Sequence, residues 1–301
     1  MRAGVRRHGG IGEQLFRALV LLVLVVAVVV VLVPMLNLLA LSLTDPKRTD
    51  EIRGLSVLPK GFSLIVYKVL AANPFFIRSI LNSVYITGLG TAINLAATAM
   101  AAYALTRHSL PGRRLFMILV IVIMVFEAGI VPEYLIVKKV GLMNTRWSVI
   151  LYKAVNVYYL IILMRFFDEV PASLLDAARV DGAGHGSVLR HVMLPLSKSA
   201  IATLGLFYGV MHWNEYFRAG IYLNDPAKYP LQLILRQFVI MDDTASLLGS
   251  GTLFSYDEAA RLSYAALRAG TIIVAIIPVL LLYPLILRYY TRGVMEGGLK
   301  E

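Results

Sequence analysis

A polar, glycine-rich stretch at residues 176–195 lies between two strongly apolar segments. Asp176 offers a carboxylate that can pair with a basic partner group, and Ala177 and Ala178 are strong helix formers with almost no bulk. Gly182 tolerates the left-handed conformation with which many helices end. A partner surface can therefore approach the backbone closely here, and the stretch is typical of a docking site for another protein.

The residues that precede this stretch carry the signals of a helix start. Pro171 suits a first helical turn, and Ser173 and Asp176 have the spacing of a capping box, with aspartate in place of glutamate or glutamine. Asp181 and Gly182 then predict the end of the helix. A short helix with a glycine turn can occur in any cytoplasmic loop, so a purely structural role remains an alternative at this point.

Glu127 and Lys153 are charged residues that lie well inside apolar segments. Glu127 follows twelve uncharged residues, and a charge at mid-bilayer costs about 2.5–3.5 kcal/mol on insertion scales, so Glu127 should face protein or water, or be protonated. Lys153 is the seventh residue of the apolar segment 147–164 and can extend its amine toward the interface. An ion pair between Glu127 and Lys153 and separate contacts with water are both consistent with the sequence.

Aromatic and hydrogen-bonding side chains recur at about helical spacing near the end of the apolar segment 199–217. They are Tyr208, His212, Trp213 and Asn214. Such groups suit sugar rings and predict, together with Glu127 and Lys153, the lining of a translocation path. An aromatic belt at the membrane interface explains Trp213 and Tyr216 as well, and we favour that second interpretation.

The composition places the chain in a membrane. Of its 301 residues, 58% are hydrophobic and 16% are charged, whereas soluble domains have about 45–50% and about 25%. We attribute the net charge of +11 to contacts with anionic membrane lipid and not with nucleic acid. The absence of cysteine excludes disulfides and thiolate metal ligands, and no two of the five histidines have the spacing of a metal pair.

Long uniform apolar segments predict an all-α integral membrane protein with six transmembrane helices and exclude a barrel. The first segment has 26 residues, too many for the apolar core of a signal peptide at about 7–15, and it is not amphipathic as a mitochondrial presequence would be. The predicted spans are residues 18–43, 79–106, 115–137, 147–164, 199–217 and 269–287. Small and hydroxyl-bearing residues in 79–106 predict that this span faces other helices and not lipid.

The charge distribution does not decide the orientation. With the amino terminus inside, 14 lysines and arginines lie on the cytoplasmic side and 14 on the outer side. Short loops weigh more than long ones, and Arg107, Arg113 and Arg114 in one turn give only a weak preference for a cytoplasmic amino terminus.

The full spacing of the polar stretch is more specific than its helix. It follows the pattern Glu-Ala-Ala, three residues, Gly, nine residues, Ile, one residue, Leu-Pro, with Asp176 and Val192 as the replacements and with Leu194 and Pro195 at the end. On these residues the chain resembles the transmembrane permease subunits of binding-protein-dependent ABC importers. Further segments similar to the sugar-importing, maltose-permease-like branch are AAYAL at 101–105, LPGRR at 110–114, GLMNT at 141–145 and WNE at 213–215. KYPLQL at 228–233 and YTRGVM at 290–295 look closer to permeases for larger or acidic oligosaccharides, including alginate-type importers.

The resemblance implies a type-1 ABC importer permease core with a cytoplasmic coupling helix that docks on an ATPase. The implied ATPase-coupling residues are Asp176, Ala177, Ala178, Asp181, Gly182, Leu194 and Pro195. The implied partners are a second homologous permease subunit, two ATP-binding cassette subunits that hold ATP and Mg, and a periplasmic sugar-binding protein. The implied location is the bacterial inner membrane, with both termini cytoplasmic.

The same resemblance implies a division of the chain into segments. These are a cytoplasmic tail at 1–17, the first span at 18–43, a periplasmic segment at 44–78, the permease core at 79–290 with a coupling loop at 167–196 and a periplasmic segment at 218–268, and a cytoplasmic tail at 291–301.

Two other classes of protein are weighed against a permease. The glycines at 182–186 lack the lysine of a phosphate loop and follow no strand, so ATP hydrolysis is expected in a separate subunit and no cofactor in this chain. An ion-coupled secondary transporter would use Glu127 and Glu133 as proton sites, but no inverted repeat is detectable. The apolar segments contain no catalytic constellation of an enzyme.

Overall fold

Helices make up almost all the regular structure in a computed structural model of the chain, which describes residues 11–52, 54–240 and 263–297. Within these ranges the backbone forms no strand, and Thr44 and Phe62 make an isolated antiparallel bridge. The prediction of an all-α protein is confirmed for these residues.

The helices are numbered in chain order. They are α1 (Ile11–Ser42), α2 (Ile65–Ala72), α3 (Pro74–Thr106), α4 (Arg113–Val125), α5 (Ile130–Lys139), α6 (Trp147–Ile150), α7 (Val157–Asp168), α8 (Ala172–Val180), α9 (His185–Val188), α10 (Leu194–Leu196), α11 (Lys198–Trp213), α12 (Phe217–Tyr222), α13 (Leu231–Ile240) and α14 (Tyr264–Gly297). Single turns of 3-10 helix occur at Pro46–Glu51 and Pro226–Lys228, and a π-helical turn joins α9 to α10 at Leu189–Met193.

The chain divides into two compact units. One consists of Met1–Ala72 and Leu253–Val274, and it contains α1 and α2. The apolar side chains of α1 are exposed along most of its length, as expected for a helix that faces lipid. The end of α1 is held by a hydrogen bond between the hydroxyls of Ser42 and Tyr67 at 2.7 Å.

The other unit consists of Asn73–Thr252 and Ala275–Glu301 and is built around α3. Asn73 starts α3 because its side-chain oxygen accepts hydrogen bonds from the backbone N–H groups of Phe75 and Phe76 at 2.9 and 3.2 Å. Polar side chains on α3 are buried, namely Ser79, Asn82, Ser83, Asn94 and Thr98. The prediction that this span faces other helices is therefore confirmed.

Helices α7 and α11 pack on α3 and enclose the main core of this unit. Ala102 of α3, Leu163 and Phe167 of α7 and Leu204 of α11 are almost completely buried there. Each fully buried large apolar side chain contributes about 1.5–3 kcal/mol relative to an exposed one. This core holds α3, α7 and α11 together, and the segment that contains α8 connects α7 to α11.

Two of the predicted spans are interrupted, and a third follows a bend. The span at 115–137 is two helices, α4 and α5, with a bend of 120° between them, and the span at 199–217 begins after an 87° bend between the segment His185–Leu196 and α11. The span at 147–164 contains the four-residue α6, a turn, and α7 from Val157 onward. The prediction of a continuous helix at 147–164 is wrong because the backbone turns at Lys153, which has a φ of 45°.

The number of complete spans follows from these breaks. Three helices within the described ranges are long and apolar enough to cross a membrane: Gly12–Ser42, Pro74–Thr106 and Tyr264–Leu281. The count rises to five if each of the two bent pairs is one span. With twelve residues, α7 is about 18 Å long, shorter than a hydrocarbon core of about 30 Å.

Candidate functional site

The residues predicted to dock on a partner lie on and around the short helix α8. This helix begins at Ala172 after Pro171, whose backbone is extended, and no side chain caps it. Ser173 is therefore the second helical residue and not the cap, and Asp176 pairs with Arg179 at 3.1 Å. The predicted capping box of Ser173 and Asp176 is wrong because the helix begins at Ala172, so Ser173 already lies inside its first turn.

The carboxyl end of α8 is closed as the sequence predicts. The N–H of Gly182 donates to the carbonyl of Arg179 at 3.0 Å, and the N–H of Ala183 donates to the carbonyl of Ala178 at 2.9 Å. These two bonds with a left-handed Gly182, φ 79°, form a Schellman motif. The motif satisfies the last carbonyls of α8 and gives the short helix a defined end.

The two faces of α8 differ. Leu175 and Ala178 pack against the main core of the unit, whereas Leu174, Ala177 and Val180 point away from it. Val180 is 87% exposed and Leu174 is 45% exposed. Leu174 and Val180 are not among the predicted coupling residues. Each lies three positions from Ala177, and apolar residues at this spacing on a polar helix indicate a contact surface.

The chain returns from α8 to the core through the segment His185–Leu196. Val188 and Met193 are buried in the main core, and the Tyr103 hydroxyl lies 3.4 Å from Nδ1 of His185. The helix widens to a π turn immediately before Pro195, which has no N–H to donate. Movement of α8 would therefore be transmitted to α3 and α11 through packed side chains.

The seven predicted coupling residues fall into two groups. Five are exposed: Asp176, Ala177, Asp181, Gly182 and Pro195. Ala178 and Leu194 instead pack against the core. The first group can touch a partner directly, and the second holds the loop in place.

A second group of polar residues lies where two spans are broken. Glu127 is in the break between α4 and α5, and Lys153 is in the break between α6 and α7. Lys153 Nζ lies 2.6 Å from Glu127 Oε1, so the ion pair is the one of the two sequence alternatives that the structure contains. The side chains are 37% and 75% exposed, respectively.

A second ion pair lies beside the first. Nε of Arg218 lies 3.2 Å from Oε2 of Glu133, and its Nη1 lies 3.6 Å from Oε2 of Glu215. The guanidinium is 3.4 Å from the centre of the Tyr152 ring, a cation–π contact. Next to this network is a cavity of about 290 Å³ whose lining includes Glu133, Tyr152, Lys153 and Tyr222.

The aromatic residues near the end of α11 are in a different environment from the one expected. Tyr208, His212 and Trp213 are buried in the helix bundle, while Asn214 is exposed and donates to the carbonyl of Val210 at 2.9 Å. Trp213 Nε1 donates to the carbonyl of Ala275 at 3.1 Å, so it does not form an interfacial belt. The three buried residues are not part of an open path because α11 packs centrally against α3.

Buried hydrogen bonds explain the position of these side chains. His212 Nε2 lies 3.1 Å from Nδ2 of Asn94, and the Tyr208 hydroxyl lies 2.7 Å from that of Thr98. The Tyr208 oxygen also accepts the backbone N–H of Asn156 at 2.9 Å. Asn156 is in turn the residue that caps α7.

Comparison with known proteins shows the family of the chain. Residues 93–296 match the family described as the binding-protein-dependent transport system inner membrane component. The chain belongs to this family. Its α8 lies within the matched residues, as do both broken spans.

Individual relatives extend the similarity to most of the chain. The polygalacturonan/rhamnogalacturonan transport system permease protein YtcP of Bacillus subtilis (strain 168) is 39% identical over 248 residues, which are 81% of this chain and 84% of YtcP. A crystal structure of a bacterial ABC transporter involved in the import of the acidic polysaccharide alginate has a TM-score of 0.85 and 26% identity, over 94% of this chain and 99% of that one. A second alginate transporter structure, in complex with an alginate pentasaccharide-bound periplasmic protein, has a TM-score of 0.53 and 18% identity, over 89% and 92% of the two chains, and shows the fold alone.

Membership of the family establishes several points. The fold is that of a type-1 ABC importer permease, and the family is an inner-membrane component, in agreement with the long apolar helices. The relatives are transport permeases and not enzymes. A permease of this family works with a binding protein, as its description states.

The role of the Schellman motif at the end of α8 can be tested by replacing its glycine. Replacing Gly182 by alanine should destabilise the end of α8 by about 1–2 kcal/mol, because a side chain at φ 79° is strained even though no atom lies near its Cβ. Hydrogen exchange of peptides from 175–184 should accelerate about 5- to 30-fold. Gly186→Ala is the matched control, since this helical glycine also has open space around it, and equal protection in the two variants would contradict the motif's role.

Proposed function

We propose that the chain is a permease subunit of an ATP-driven importer that moves oligosaccharides, of the acidic type, from a periplasmic binding protein across the inner membrane by alternating access. The names of its relatives support the substrate class, since YtcP is a polygalacturonan/rhamnogalacturonan permease and the structural relative imports alginate. Both of those polysaccharides are rich in carboxylates.

The observation that carries the ATP-driven mechanism is the geometry of α8. It is a short helix with a defined end, an exposed apolar surface of Leu174, Ala177 and Val180, and its other face fixed to the core. We propose that this surface docks in a groove of an ATPase subunit and that Asp176 pairs with a basic group there. ATP and Mg belong to that partner, and this chain needs no cofactor.

Docking of α8 on an ATPase would have to supply the free energy for a conformational change of the permease. Reversal of a conformational preference from 1:99 to 99:1 takes about 5.5 kcal/mol of differential binding. A rigid helix that is continuous with the core can transmit this difference, whereas a loop without contacts would dissipate it. The segment His185–Leu196 supplies the connection through Val188 and Met193.

The assembly and topology complete the proposal. Two ATP-binding cassette subunits, a second homologous permease and a periplasmic sugar-binding protein join this chain. Six spans, with the broken segments 115–137 and 147–164 each counted once, give cytoplasmic tails at 1–17 and 291–301. The coupling loop at 167–196 is then cytoplasmic, and the segments 44–78 and 218–268 are periplasmic.

An ion-coupled secondary transporter that uses Glu127 and Glu133 is not favoured. Glu127 is paired with Lys153 and Glu133 with Arg218, so neither carboxylate is an isolated proton site. The family in addition depends on binding proteins.

Cysteine crosslinking tests the coupling proposal directly, because the chain has no native cysteine. In the assembled complex, Ala177→Cys should crosslink to a cysteine in the ATPase groove and the crosslink should block ATP-dependent uptake in proteoliposomes. Lys139→Cys, exposed at the end of α5 and predicted to be periplasmic, is the control and should not crosslink. Uptake by the purified chain alone under an ion gradient, or crosslinking only from Lys139→Cys, would reject the proposal.

A further inference from the structure

The two ion pairs beside the cavity differ in how firmly they are held. Arg218 contacts Glu133, Glu215 and the face of Tyr152, and its side chain is 20% exposed. Glu215 also accepts the backbone N–H of Arg218 at 2.9 Å and so fixes the start of α12. This cation is neutralised by two carboxylates of the protein and covered on one face by an aromatic ring.

Lys153 is held much less firmly. The carboxylate of Glu127 is 75% exposed, and Lys153 is the group that donates to it at 2.6 Å. The rest of the protein therefore encloses Glu127 little, and a ligand can reach the ammonium from the same side as Glu127. Another carboxylate can then replace Glu127 at Lys153, because one ion pair is exchanged for another.

The backbone at Lys153 is unusual for its residue type. A φ of 45° is strained for a side chain with a Cβ, and Lys153 and Asn144 are the two non-glycine residues with positive φ in the described ranges. Such strain persists where the surrounding structure over-determines it, and it concentrates at ligand sites. Lys153, the residue at this strained turn, is among the residues that line the cavity.

The cavity has the size and chemistry of a small saccharide subsite. Its volume of about 290 Å³ is at the lower end of ligand pockets, which are about 300–1,000 Å³. Tyr152, which is partly exposed, supplies an aromatic ring that can contact the apolar face of a sugar, whereas Tyr222 and Ser148 form the buried wall of the cavity. Lys153 is the cation among the lining residues.

We propose that Lys153 is a specificity-determining residue whose ammonium binds a carboxylate of an acidic oligosaccharide. When no substrate is bound, Glu127 forms an ion pair with the same ammonium. This inference rests on the proposed function and adds the group that recognises the substrate's charge. During transport the uronate carboxylate replaces the Glu127 carboxylate at Nζ of Lys153, with no covalent step. The exchange keeps the ammonium neutralised in both states, which avoids an unpaired charge beside the apolar lining.

The experiment compares two substrates of equal length, an oligogalacturonide and its fully methyl-esterified neutral form, in proteoliposomes that contain the complete complex and its binding protein. Lys153→Gln should raise the KM for the acidic oligosaccharide about tenfold, the loss of one hydrogen bond to a charged group, and change the KM for the neutral one less than twofold. Lys153→Arg should restore most of the discrimination. Glu127→Gln should lower the KM for the acidic substrate because it removes the competing carboxylate.

The control variant is Lys139→Gln, which removes a neighbouring positive charge that does not line the cavity, and it should leave both KM values unchanged. The assignment of Lys153 would be overturned if Lys153→Gln raised the KM equally for both substrates, or raised it for neither. Unchanged or weaker uptake of the acidic substrate by Glu127→Gln would overturn the exchange. Failure of the native complex to import either substrate with ATP would instead overturn the proposed function itself.

Discussion

Replacing Gly90 by alanine is expected to prevent α3 from packing against α11. A Cβ at this position would lie 2.6 Å from Nε2, 2.7 Å from Cε1 and 2.8 Å from Cδ2 of the His212 ring. The ring is 3% exposed and bonded to Asn94, so it has no space into which to move. Overpacking costs about 1–3 kcal/mol and a lost buried hydrogen bond about 1–3 kcal/mol more. The midpoint of thermal unfolding in detergent, followed by the fluorescence of Trp147 and Trp213, should fall markedly.

Gly88→Ala is the matched control because it lies one half-turn away on the same helix. No atom lies within 4 Å of a Cβ at Gly88, and the residue is exposed. Alanine should there stabilise the helix by about 1 kcal/mol, the difference in propensity. A Gly90→Ala variant as stable as the native chain would show that α3 and α11 do not approach as closely as described.

Arg218→Met should be the second most damaging single change. The variant keeps the length of the side chain but leaves the Glu133 and Glu215 carboxylates, which are 27% and 10% exposed, without their cation. Removing one partner of a mostly buried ion pair costs about 3–5 kcal/mol, because the remaining charges stay desolvated. Urea or thermal unfolding of the detergent-solubilised chain measures this loss.

Two further variants separate the cause of that loss. Arg48→Met removes the cation from the exposed pair with Glu51, and this change should leave the stability almost unchanged because water screens the pair. Combining Arg218→Met with Glu133→Gln and Glu215→Gln should recover a large part of the lost stability. If the triple variant is no more stable than Arg218→Met alone, packing of the guanidinium on Tyr152 and not charge is the main contribution.

The long helices could be predicted because composition alone identifies them. The predicted span at 18–43 lies almost entirely within α1, and 79–106 lies within α3. The true start of α3 was readable as well, since Asn73 followed by Pro74 is a standard helix start. The predicted start at residue 79 is instead the first residue of the uncharged segment that follows Arg78.

The breaks could not be predicted from hydropathy. Residues around Lys153 are as apolar as those of a continuous helix, and a single positive φ leaves no periodic trace. Asn156 was an available signal, because it caps α7 through the N–H groups of Tyr158 and Tyr159. The pairing of Arg218 with Glu133 joins residues 85 positions apart, and only the packing of α5 and α12 in space brings them together.

The site was predicted in part. The residues of the polar stretch 176–195 predicted a short helix, α8, and its end at Gly182, since both features depend on local sequence. The burial of Tyr208, His212 and Trp213 was not predicted, because the same residue types serve at an interface, along a path and inside a bundle. Which of the three applies depends on the neighbours of α11 and not on α11 itself.

The single oxygen of the Tyr208 side chain has a wider consequence for how this permease can move. It holds Thr98 of α3 and the first residue before α7 at the same time as it belongs to α11. A rearrangement that separated any two of these helices would expose a stranded phenol in an apolar interior. In the proposed conformational cycle we therefore expect the three helices to move as one rigid body and the bending to occur at the non-helical joints 126–129 and 151–155.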